Sequence, residues 1–126
     1  MGYSVSKDVF GEVVQKALDT LPEPYAEFVR TLRIEVRDRP TRQMLREVGL
    51  AQDELLLGLY QGRPQTLRSV EDSAVLPDVI YLFQDDLQEI CQSREELVDE
   101  IQKTVLHEIG HHFGLGEKEL DDLGFA

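Results

Sequence analysis

His107 and His111 stand four residues apart, with Glu108 between them. On a helix that spacing puts both imidazoles on one face, one turn apart, close enough to share an ion. Glu108 occupies the position from which a metallohydrolase draws its general base, and the HExxH pattern is a zinc signature. A hydrolytic zinc site needs a third protein ligand and one position left open for water. Gly114 comes three residues after His111 and can take a positive φ, so the chain can leave the helix and fold back. Glu117 comes three residues later, where its carboxylate can return to the ion. Glu119, Asp121 and Asp122 are also acidic and near, and spacing favours Glu117 among them. His112 lies four residues after Glu108 and shares its face. It either orients Glu108 or a substrate from just outside the metal's own ligands, or packs beside Phe113.

These residues need a helix to hold them. Ser93-Arg94-Glu95-Glu96 is a capping box, which predicts a helix starting at Arg94. Its core stripe is Val98, Ile101, Val105 and Ile109, and it should run to about Phe113 and break at Gly114. Upstream, Val9, Phe10, Val13, Ala17 and Leu21 mark a first amphipathic helix, capped by Ser6 and stopped by Pro22 and Pro24. Leu32, Ile34 and Val36 alternate with charged residues, the period of a half-buried strand. Pro40 and Thr41 open a short helix ending at Gly49. Leu55 to Tyr60 reads as a second strand with a close backbone approach at Gly58. Residues 62–77 read as a loop or as a hairpin arm around Leu67 to Val70. Val79 to Phe83 is a continuous apolar run, typical of a covered strand. Gln84 to Cys91 predicts one short helix, and Glu117 to Leu123 a last helical turn. The sum is an α+β domain over 1–126: an N-terminal helix, a small and mostly antiparallel twisted sheet, and the C-terminal HExxH helix.

Composition narrows the partners. The 126 residues include 13 basic and 25 acidic ones, a net charge of −12. Such a surface does not suit nucleic-acid phosphates or an anionic membrane. The first twenty residues lack the apolar stretch of a signal peptide, and no window is long and apolar enough for a membrane span. A cytoplasmic monomer is therefore expected. Cys91 is the single cysteine, so no internal disulfide forms, and it reads as a small buried hydrophobe.

The sequence resembles the small bacterial zincin-like metallopeptidases, sometimes described as minimal zincins. The likeness is carried by His107-Glu108-Ile109-Gly110-His111-His112-Phe113-Gly114 and by Leu120-x-x-Leu123-Gly124. Leu56-Leu57-Gly58-Leu59-Tyr60-Gln61-Gly62-x-Pro64 and Leu76-Pro77-Asp78-x-Ile80-x-Leu82-Phe83 support it, so it spans the chain from about Leu55 to the end. The resemblance implies a compact zincin fold with the HExxH helix across a small sheet. It implies His107 and His111 as zinc ligands, Glu117 as the third and Glu108 as base. By analogy with zincins, an extended peptide would pair with the Leu56–Tyr60 strand, making Gly58 and Tyr60 substrate-binding residues. It names no natural substrate.

The leading expectation is zinc-dependent hydrolysis of peptide bonds in a peptide or protein substrate. Met1 and Met44 are the only methionines, so the methionine turn that metzincins carry after the motif is missing. That absence and the short chain motivate an alternative, a non-catalytic zinc-binding module that recognises a partner protein. A metal-dependent nuclease is disfavoured by the acidic charge and by Glu108, which suits water activation at an acyl centre.

Overall fold

A computed structural model describes residues 2–62 and 78–112, His111 and His112 by their backbone alone. Helix α1 spans Lys7–Asp19, and Ser6 Oγ caps it by accepting from Val9 N at 3.2 Å. Its apolar stripe buries Phe10, Val13, Val14 and Ala17. Helix α2, Tyr25–Val29, follows and adds Ala26 and Val29 to the same core. Five residues are too few to show a helical period, and Pro22 and Pro24 read only as a stop, so the sequence does not announce this element. Strand β1 is Arg33–Arg37. Helix α3, Arg42–Glu47, is capped by Thr41, whose Oγ1 accepts from Met44 N at 3.0 Å. Gly49 ends this segment at φ 78°, the left-handed conformation that glycine takes without a Cβ penalty.

Strand β2 is Gly58–Gln61 and β3 is Val79–Phe83. The expected strand from Leu55 is shortened because Leu56 N donates to Asp86 Oδ2 at 2.9 Å instead of entering the ladder. Helix α4, Gln84–Glu89, follows β3 directly, and α5 runs Arg94–His112. Ser93 Oγ accepts from Glu96 N at 3.1 Å, the first half of the predicted capping box. Glu96 Oε1 reaches back one residue further than expected, to Gln92 N at 3.0 Å.

Among the described residues the strands form one sheet in the order β1-β3-β2. β2 and β3 are antiparallel, with Gly58 opposite Leu82 and Tyr60 opposite Ile80. β1 and β3 are parallel, with Arg33 opposite Val79 and Arg37 opposite Phe83. The architecture is the expected α+β, and among the described residues the sheet is mixed, with one antiparallel and one parallel pair. The chain between β1 and β3 carries α3 and β2, long enough for the crossover that a parallel pair requires.

The central strand β3 is buried along its whole length. Ile80 and Leu82 face the main core with Phe10, Val13, Leu97, Ile101, Val105, Leu106 and Ile109. Val79, Tyr81 and Phe83 face the other way, against Leu59, Met44 and Leu56. Two covered faces explain the unbroken apolar run. On α5, Leu97 is fully buried while Val98 is partly exposed, so the stripe begins one residue before the expected one. Gln102 Nε2 ties α5 to the end of α1 through Ala17 O at 2.9 Å and Thr20 Oγ1 at 2.6 Å. No described helix is long and apolar enough to cross a membrane. The readings at residues 63–77, at Gly114 and at Glu117 to Leu123 lie outside the described residues.

Candidate active site

α5 is helical from Arg94 through His112. His107 and His111 therefore lie one turn apart on an unbroken helix, as the spacing predicts. His107 and Glu108 are half-buried and line a cavity of about 300 Å³ between α5 and the start of β2. Leu56, Leu57 and Gly58 form its strand-side wall, and Glu100, Lys103 and Thr104 extend the helix wall. Lys103 Nζ lies 3.8 Å from Glu100 Oε1 at the end away from His107. Glu100, Lys103 and Thr104 belong to no motif in the sequence. Their signal is the helical period, since 100, 103 and 104 precede 107 and 108 by one and two turns on one face.

Gly58 is what lets the strand approach the helix. A Cβ there would lie 2.5 Å from Thr104 Cγ2 and 2.9 Å from Tyr81 O. The close approach expected at this glycine is thus a strand-to-helix contact, beside the chemistry.

Tyr60 sits two residues further along β2. Phe83 N donates to Leu57 O at 3.0 Å, so by antiparallel alternation the N–H groups of Gly58 and Tyr60 point away from β3. Tyr60 N donates to Glu108 Oε1 at 2.8 Å. The N–H that strand addition would offer to a peptide is therefore already engaged by the carboxylate of the motif. Tyr60 Oη donates in turn to Asp78 Oδ2 at 2.7 Å. No local sequence signal marks Asp78, because its partner is eighteen residues away.

The expected site residues are brought together as far as they are described. His107 and Glu108 share the cavity, Gly58 forms its wall, and Tyr60 bonds Glu108. His111 and His112 end α5, and Glu117 lies outside the described residues. Among the described residues no group of three His, Cys, Asp or Glu side chains converges as a metal site. The described donor set fits zinc in part: an imidazole lining a cavity, on a helix that continues to a second histidine one turn on.

Residues 29–125 match the profile of the zincin-like metallopeptidase family. The chain belongs to that family. Among solved structures, it is similar to a conserved hypothetical protein from Thermo thermophilus, with a TM-score of 0.56 and 23% identity. The match covers 86% of this chain and 94% of that one, and at that identity it speaks for the fold alone. No curated protein matches the sequence closely enough to carry an argument. Family membership agrees with the HExxH helix and with the α+β architecture of this zincin-like chain.

Proposed function

We propose that this zincin-like protein is a zinc-dependent metallopeptidase that hydrolyses a peptide bond in a peptide or protein substrate. The observation that carries the reading is the pairing of His107 and Glu108 at one cavity, on a helix unbroken through His111, beside the edge of β2. His107, His111 and Glu117 would hold the ion. When bound, zinc supplies a Lewis acid that polarises the carbonyl and acidifies water.

Glu108 accepts the proton of the attacking water and passes it to the departing amine nitrogen. The bond from Tyr60 N to Oε1 orients the carboxylate that takes that proton. An extended peptide is read along the cavity wall at Gly58, with Tyr60 beside the base and its own N–H kept on Glu108. His112 is read as an outer group near the ion.

Glu108→Gln tests the role of the base. Glutamine keeps an oxygen to accept from Tyr60 N, so the fold should persist. Zinc content should stay equal to that of the parent, while turnover of a cleaved peptide should fall by about 10²- to 10⁴-fold. Equal turnover by variant and parent would sink the assignment. One observation favours the rival reading of a non-catalytic zinc module that binds a partner protein: the bond between Tyr60 N and Glu108 is useful as structure alone. That reading expects zinc binding, no cleavage by the parent, and partner affinity unchanged in Glu108→Gln.

A further inference from the structure

We propose that Asp78 is a positioning residue for Glu108, acting through Tyr60. The inference rests on the reading of Glu108 as the proton acceptor, and it assigns work to a residue three elements away from the motif.

A glutamate side chain has several free torsions, and a base is useful only when its carboxylate is held in one geometry. On α5 nothing in the helix backbone supplies such a hold, because the N–H groups there are spent within the helix. The donor comes from β2: Tyr60 N, 2.8 Å from Oε1. Where that N–H points depends on where the far half of β2 lies.

Three observations show that Tyr60 is held from the other side. Its hydroxyl donates to Asp78 Oδ2 at 2.7 Å, a short bond to a carboxylate of the strong, charge-assisted kind. Asp78 is itself fastened, being 9% exposed and having a backbone oxygen that accepts from Arg33 N at 3.0 Å at the start of β1. Gly62 then closes over the pair. A Cβ at that position would lie 2.5 Å from Asp78 Cγ and 2.8 Å from Tyr60 Cε1, so the chain packs onto the ring and the carboxylate together. The tyrosine is thus clamped by its hydroxyl at the head of β3, while its N–H is delivered to α5. Without the clamp, β2 keeps its ladder to β3 but Tyr60 is freer to twist, and Oε1 loses its fixed donor.

The test uses the full chain, ¹⁵N-labelled and loaded with one equivalent of zinc. The variants are Tyr60→Phe, Asp78→Leu and Asp78→Asn, the last of which keeps an oxygen acceptor for the tyrosine hydroxyl. The first readout is the Tyr60 amide itself. Its proton shift should move when Glu108→Gln removes the charge, which identifies the bond. Its exchange protection should fall by about tenfold in Tyr60→Phe and Asp78→Leu, the scale of one lost hydrogen bond, and stay near parent in Asp78→Asn. The second readout is turnover of a labelled casein digest. There kcat should drop by about threefold to tenfold in the first two variants, with KM and zinc affinity held, because orientation and not binding is lost. A Tyr60 amide that keeps its shift and protection in Tyr60→Phe overturns the proposal, as does a change in KM alone, or Asp78→Asn behaving like Asp78→Leu. Should Asp78→Leu fail to fold, Tyr60→Phe decides the matter. If the parent cleaves nothing, the peptidase reading falls, and the amide measurement still decides whether Asp78 holds the Glu108 carboxylate.

Discussion

Gly58→Ala is the sharpest probe of how strand and helix meet at the site. The new Cβ would lie 2.5 Å from Thr104 Cγ2 and 2.9 Å from Tyr81 O. Unstrained carbon contacts lie at about 3.5–4.0 Å, so β2 and α5 must separate or Thr104 must turn. Overpacking of this kind costs about 1–3 kcal/mol. Gly58 does not take a positive φ, so alanine also reduces the freedom of the unfolded chain, a gain of about 0.4–1 kcal/mol. The net loss is about 1–2 kcal/mol, and at about 3–5 °C per kcal/mol for a chain of this size the melting midpoint falls by about 3–10 °C. The melt should be run in EDTA, so that metal linkage does not move the midpoint. Thr104→Ser removes the clashing methyl and leaves the contact with Tyr81 O, so the double variant should be more stable than the sum of the singles by about 1 kcal/mol. A Gly58→Ala midpoint equal to the parent's, or strict additivity in the double variant, refutes the close-approach account.

Other outcomes follow from buried groups. Burial pushes the Asp86 carboxyl above its ordinary value, against the lowering effect of its bond from Leu56 N and of Arg39. A raised folded value means that the folded state holds the proton longer, so the parent loses stability as pH rises from about 4 through the Asp86 transition. Asp86→Asn lacks this loss, and its stability relative to the parent should rise with pH over that window in urea melts. A flat difference would contradict the shift. Cys91 is fully buried, and burial together with Glu100, Glu96 and Asp99 pushes its thiol up to about 11. The folded protein should therefore resist iodoacetamide at about pH 8 and react only on unfolding; labelling at the rate of a free thiol would refute this.

Much of the framework was legible because it is written in local periods and caps. Ser6, Thr41 and the Ser93–Glu96 box start their helices as expected, and the run from Val79 to Phe83 is the covered strand. What escaped was short or non-local. α2 is too brief for a period, and the parallel pairing of β1 with β3 depends on where a distant strand returns. Tyr60 reads in the sequence as a strand residue, and nothing local shows that its N–H meets Glu108 forty-eight positions away.

The spacing of His107, Glu108 and His111 on a capped helix is a property of the sequence by itself, because helix geometry converts a four-residue interval into a shared face. The same is true of the acidic balance and of a glycine where backbones approach. Only the tertiary structure decided what faces that helix. Gly58 against Thr104, Tyr60 N on Glu108 and Tyr60 Oη on Asp78 join residues eighteen to forty-eight positions apart. Such contacts have no period to read. They exist because, among the described residues, β2 ends the strand order β1-β3-β2 and packs against α5.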